Sequence, residues 1–185
     1  MSKPGPPLLR YLKYVGIGLC LPLLLWTLLP LAGPVWHAFT GDNISYQGWR
    51  VSVPKGFFAW VPEKVPNAEI GPTFWRVGIG GPWIHHHYGH ISLFSYPRPF
   101  QHDQDYPNFE KGLILDANRK GFQLKSRVTV PVGSGLGYCL EFEGPEQERL
   151  SLVRCAIGDS PVALFYEGDQ KYVPDFFAML RSMAL

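Results

Sequence analysis

Four of the chain's six histidines fall in one stretch, His85-His86-His87-Tyr88-Gly89-His90. Neutral imidazole is a good ligand for Zn or Cu. In an extended chain alternate residues share a face, so His85 with His87, or His86 with His90, can converge on one ion. A closed metal site needs three or four ligands with oriented partners behind them. His102, Asp103 and Asp105 supply the remainder only if the fold returns that segment to the cluster. Adjacent imidazoles also depress one another's protonation near neutral pH, which makes the cluster a candidate pH sensor. The plainer alternative is a solvated loop tip between Gly81-Pro82 and Gly89.

Other chemistry-bearing patterns are weaker. The chain has no G-x-S-x-G, no H-E-x-x-H and no cysteine beside a histidine, so the common nucleophile and metallopeptidase signatures are missing. Glu141 and Glu143 share a strand face at a spacing of about 7 Å, which resembles the carboxylate pair of a glycosidase but more commonly marks a solvated strand face. Val77-Gly78-Ile79-Gly80-Gly81 runs into Pro82 and lacks the ending of a phosphate loop. Phe57, Phe58, Trp60 and Trp83, together with Phe74-Trp75, are candidates for a recognition surface; the competing role is core, because a twisted sheet needs large side chains to cover it. The balance points away from catalysis and toward binding.

The elements that must position these residues divide at the N-terminus. Residues 15–36, VGIGLCLPLLLWTLLPLAGPVW, carry no charge, and 22 helical residues at about 1.5 Å each give roughly 33 Å, enough to cross a bilayer's hydrocarbon core. Pro22 and Pro30 imply a kinked span, which membrane helices tolerate. Lys3, Arg10 and Lys13 precede it and no acidic residue appears before Asp42. The positive-inside tendency therefore keeps residues 1–14 in the cytoplasm and exports everything after a linker at 37–43. A cleaved signal peptide is the main competitor, but the apolar run is long for one and lacks a clean small-x-small site. An uncleaved signal anchor in single-pass topology is the expectation.

The net charge of +2 comes from 17 Lys and Arg against 15 Asp and Glu. Three of those basic residues precede the span, so the exported part has 14 against 15 and a net charge of −1. Nothing there suggests a nucleic-acid partner.

Cys139 and Cys155 both fall in the exported part, where an oxidising compartment permits a disulfide. CLEFEGPEQERLSLVRC has two apolar arms around a turn. Centring the turn on Gln147 sets Leu140 opposite Arg154, Phe142 opposite Leu152 and Cys139 opposite Cys155, which is bridgeable if the two form a close non-hydrogen-bonded pair. The alternative is two separate buried thiols. This register has one flaw: one face must accept Arg154 and the other Glu141.

From residue 44 to 185 the pattern is α+β. Strands are expected at Tyr46–Val53, Phe57–Val61, Thr73–Val77 and His90–Tyr96. A helix follows over NFEKGLILDANRK between Pro107 and Gly121, with Phe109, Leu113 and Ala117 as its buried stripe. Four more strands come next, near Leu124–Val130, Leu136–Glu143, Leu150–Ile157 and Val162–Tyr166. A last helix from about Pro174 carries Phe176, Met179, Leu180 and Met183 at i, i+3, i+4 and i+7. Strands, helix, four strands, helix argues for an antiparallel sheet with two packed helices.

This layout resembles the PsbP-like α/β sandwich. It is carried by a Trp49-containing first strand ending in Pro54-Lys55-Gly56, a helix ending in Lys120-Gly121-Phe122, and a terminal strand–helix unit from Val162 to Met183. The resemblance implies an extracytoplasmic accessory or assembly factor of a membrane complex and carries no catalytic residues. The expected function is thus a non-catalytic, membrane-anchored binding protein that meets the bilayer through residues 15–36 and another envelope component through its domain. The alternative is a periplasmic Zn or Cu binder using His85, His86, His87 and His90.

Overall fold

The computed structural model describes residues 28–60, 70–77, 88–145 and 149–185. A 3₁₀ turn, Leu29–Leu31, leads into helix α1 (Ala32–Thr40), which stops at Gly41, a glycine with φ of 80°. A hairpin follows, β1 (Asn43–Tyr46) with β2 (Trp49–Ser52). Next come β3 (Phe58–Trp60), β4 (Ile70–Val77) and β5 (Tyr88–Ser95). Helix α2 (His102–Arg119) then leads to β6 (Gln123–Val132), β7 (Gly135–Glu143), β8 (Leu150–Ile157) and β9 (Val162–Asp169), and the described fold closes with α3 (Val173–Ser182).

The main sheet has seven strands in the order β3-β4-β5-β9-β8-β7-β6, every neighbour antiparallel. α2 carries the chain from β5 in the middle to β6 at the far edge. The β6–β9 meander then returns to pair with β5. The expected α+β architecture with an antiparallel sheet is therefore present.

Strand alternation puts two different cores on the two faces. On one face Phe74, Ile91, Leu93, Val153, Cys155, Leu164 and Tyr166 pack with the β1–β2 hairpin, with Phe176, Met179 and Leu180 of α3, and with Met183 just past its end. The i, i+3, i+4, i+7 stripe read from the sequence is the buried face of that helix and its C-cap. On the other face Leu140, Phe142 and Leu152 pack with Ala117 and Phe122, against Leu113 and Ile114 of α2.

Three boundaries differ from the sequence reading. Tyr46–Val53 is not one strand: Gln47 and Gly48 have φ of 51° and 83° and form a two-residue turn between Tyr46 and Trp49. α2 starts five residues before Pro107, with Gln101 as its N-cap and Asp105 of the first turn reaching back to accept a hydrogen bond of 2.8 Å from the Gln101 backbone N–H. At the N-terminus, α1 runs across the expected boundary between span and linker at residue 36. Its Gly33 packs against Gly56 and its Trp36 against the core. Residues 15–27 of the expected span lie outside the described residues. Among the described residues, no helix is long and apolar enough to cross a membrane.

The β7–β8 register is the one read from the sequence, with Leu140 opposite Arg154, Phe142 opposite Leu152 and Cys139 opposite Cys155. The two cysteines form a disulfide between Cα atoms 4.1 Å apart. Both awkward charges find partners. Glu141 accepts from Lys125 Nζ at 2.8 Å and from Ser126 Oγ at 3.0 Å, so it is an ion-pair partner and not half of a carboxylate pair. Arg154 lies on the α2 face, where it helps to build the site described next.

Candidate functional site

The register determines which side chains share the α2 face. One row across the sheet is Phe58, Trp75, His90, Glu167, Leu152; the next is Trp60, Thr73, Ser92, Phe165, Arg154, Leu140. α2 lies over the β6–β8 end of this face, where Leu152, Leu140 and Phe142 are sealed. Over β3, β4 and β5 no described helix lies. On that half of the face Trp60 is exposed, Phe58, Trp75, His90, Phe94 and Phe165 are half-buried, and Thr73 and Ser92 between them are buried.

Arg154 is the central cation. Its guanidinium donates to the Tyr166 carbonyl at 2.7 Å, lies 4.7 Å from the centroid of the Phe165 ring, and reaches Glu167 only at 3.8 Å. Burial pushes its pKa down, with Glu167 and Asp116 acting in the opposite direction. A buried charge whose carboxylate partner is distant and half-exposed relies on carbonyl dipoles and a ring face for compensation.

His90 stacks on Trp75, with centroids 3.9 Å apart and planes 17° from parallel, and shares a hydrogen bond of 3.0 Å between its Nε2 and Ser92 Oγ. Burial, reinforced by the Arg154 charge, lowers its pKa to about 4. The ring is therefore neutral near pH 7. Beside Ser92, Thr73 Oγ1 is buried with no hydrogen-bond partner among the described residues. A cavity of about 140 Å³ opens between His90, Ser92, Phe94, Arg154, Phe165 and Glu167. On the same side, a groove of about 550 Å³ runs along the first turns of α2, lined by Tyr96, Phe100 and Phe109 and bounded by the Arg98–Asp105 ion pair.

Ser92 and His90 superficially form a nucleophile–base pair. Three observations oppose that role. The Ser92 hydroxyl is buried; the ring's basicity is depressed well below neutral; and no described carboxylate bonds its other nitrogen to fix the tautomer, as a base of this type requires. The arrangement suits recognition better than proton transfer.

The pKa of His90 has a measurable consequence. A histidine held neutral in the fold but free to ionise when unfolded contributes stability that is complete above its unfolded pKa near 6.5. That contribution is lost as pH falls from there toward about 4. We expect urea midpoints to drop over that window by an amount equivalent to about 1–2 kcal/mol, below the full shift because solvent screens the part-exposed ring. His90→Phe, which keeps a ring on Trp75, is expected to flatten the dependence. An unchanged slope in that variant would assign the effect to other groups.

Of the residues singled out from the sequence, His85, His86, His87 and Trp83 lie outside the described residues. His90 is placed by β5, its Nε2 engaged by Ser92. His102 and Asp103 stand together at the start of α2, while His90 points into the sheet-face cavity. Among the described residues no group of three or more His, Cys, Asp or Glu side chains is gathered as a metal would require. Phe57 is a correction: it is fully buried in the core opposite this surface, because the turn at Pro54-Lys55-Gly56 sets the strand phase so that 58 and 60, not 57, face outward. Phe58 is half-buried and Trp60 is 59% exposed. Trp75, named with Phe74 as a candidate, is half-buried beside His90, whereas Arg154, Phe94 and Phe165 were not read as part of this surface. For Arg154 the signal was the charge that the hairpin register could not place.

Fold and face together define an α+β domain whose antiparallel sheet, on half of its α2 face, carries no described helix. No family model matches the chain and no curated protein matches it. Among solved structures, it is similar to the solution structure of cyanobacterial PsbP (CyanoP) from Synechocystis sp. PCC 6803, at 12% sequence identity and a TM-score of 0.47, over 77% of this chain and 91% of that chain. The likeness is one of fold, the PsbP-like layout expected from the element order, and brings no residue role with it.

Proposed function

We propose that this chain is a membrane-anchored binding protein, non-catalytic, whose domain works outside the cytoplasm as an accessory to another envelope component. The observation that carries the reading is the half-sheet over which no described helix lies. It combines Trp60, Trp75, Phe94 and Phe165 with a buried arginine, the residue types that dominate binding hot spots. The uncharged run at 15–36 behind Lys3, Arg10 and Lys13 supports the anchor and its orientation, and the disulfide fits an oxidising compartment.

The test places a photo-crosslinking phenylalanine analogue at position 60 of the full chain in its native membranes. One dominant adduct with an envelope component is expected, and Trp60→Ala is expected to weaken capture of that component about tenfold or more, the scale of a hot-spot truncation. Absence of any adduct, together with unchanged capture by Trp60→Ala, would remove the sheet face from the reading. Protease added to spheroplasts is expected to digest the domain from outside; protection there would reverse the topology.

A further inference from the structure

The outer face of α1 is apolar and covered by nothing in the described fold. Val35 and Phe39 lie one turn apart on α1, and Leu28 and Leu31 precede them at spacings of three and four across the 3₁₀ turn Leu29–Leu31. All four are exposed, Val35 at 52% and Phe39 at 85%. The opposite side is fixed to the domain. A Cβ on Gly33 would come within 2.4 Å of the Gly56 carbonyl group, so the two backbones are in direct contact. Trp36 packs on the core, and His37 bonds Asp42 through Nδ1 at 2.7 Å and reaches the Pro54 carbonyl through Nε2 at 3.3 Å. The helix cannot roll to hide its apolar stripe without breaking these contacts.

A protein-binding patch normally carries a polar rim. Here no Asp, Glu, Lys or Arg occurs anywhere from Tyr14 to Gly41, so the uncharged run upstream continues through Leu28 and the whole stripe. An apolar stripe that is continuous in sequence with a long uncharged segment fits a lipid surface better than a protein groove. Gly33 and Trp36 also cannot lie in the hydrocarbon core while they pack on the domain, so a crossing that extends to residue 36 is incompatible with the fold.

We infer that the bilayer crossing ends at the 3₁₀ turn Leu29–Leu31, where Pro30 stands, and that α1 lies in the outer membrane–water interface with Leu28, Leu31, Val35 and Phe39 in the lipid. The inference rests on the anchor reading above and sharpens it. Residues 15–31 number 17, at the short end of what spans a bilayer. An interfacial helix buries its apolar side about 5–10 Å below the headgroups. Because α1 is welded to the sheet, the domain is held against the membrane in one orientation, with no free linker.

The test uses the full chain with Cys20→Ser, reconstituted in phosphatidylcholine–phosphatidylglycerol vesicles. Single fluorescent labels are placed through Phe39→Cys, Val35→Cys or, as a control on exposed α2, Asn118→Cys, and lipid-borne quenchers are set at known depths. Strong quenching at 35 and 39 by shallow quenchers, and loss of quenching at 118, is the expected result. A chain that resists alkaline extraction but leaves 35 and 39 unquenched, or that quenches 118 equally, overturns the docking while the anchor stands. Disulfide-linked dimers of the Phe39→Cys protein at low occupancy would put a second copy on the stripe and also overturn it. Complete extraction by alkali removes the anchor reading itself.

Discussion

Gly168→Ala is expected to destabilise the domain by about 3–5 kcal/mol, combining an unfavourable backbone conformation with overpacking against main chain. Gly168 lies in β9 between Gly89 of β5 and Ser151 of β8, at the centre of the sheet. Its φ of 151° is one that side chains rarely adopt, and a Cβ there would stand 2.4 Å from the Tyr88 carbonyl oxygen and 2.8 Å from the Gly89 Cα. Neither obstacle is the tip of a flexible side chain. Relief requires β5 and β9 to separate, and that pair is the one long-range connection joining the first half of the sheet to the second. For a domain of this size the melting temperature should fall by about 10–20 °C, followed by circular dichroism, with a matching drop in the urea midpoint. A shift of only a degree or two would mean that β5 and β9 do not approach as described.

The same strand pair explains why the site is a product of the fold. His90 faces Glu167 across it and Ser92 faces Phe165, so a loosened β5–β9 pair dismantles these pairings as well as the core. Gly168→Ala should therefore also abolish the stabilising effect of raising pH that His90 confers, because the ring would no longer be buried.

Much of the fold was legible where local rules and burial agreed. The β7–β8 hairpin could be registered from its two cysteines and its apolar alternation, and α3 from its i, i+3, i+4, i+7 pattern. Local exceptions were harder. The turn at Gln47-Gly48 puts glutamine at positive φ, where asparagine or glycine is the usual signal, so two strands read as one. Pro107 marks helix starts in general, yet here the first turn, with Asp105 bonded back to Gln101, comes earlier and leaves proline inside the helix. The site was least legible, for a geometric reason. Trp60, Trp75, His90, Phe165 and Arg154 come from five strands and become neighbours only through a strand order that inserts β9 beside β5. Nothing local to Arg154 declares that pairing; the residue could only register as a charge on a face that should be apolar.

Removing the disulfide is expected to cost about 3 kcal/mol, the chain-entropy value for a closed loop of about this length, given a separation of 16 residues between Cys139 and Cys155. The double variant Cys139→Ala/Cys155→Ala should lose that amount in urea unfolding and become indifferent to dithiothreitol, while the wild-type chain should fall to the same midpoint once reduced. Both cysteines are buried in the core under α3, and the strands around them are paired over seven positions from Gly137–Ile157 to Glu143–Ser151. The hairpin therefore has its own reasons to form, and the bridge acts mainly by restricting the unfolded chain. A domain's whole stability is about 5–15 kcal/mol, so a term of this size is the difference between a well-folded domain and a marginal one once the bridge is reduced. A loss below about 1 kcal/mol would mean that packing alone sets the hairpin, and the cysteine pair would then stop supporting an extracytoplasmic location.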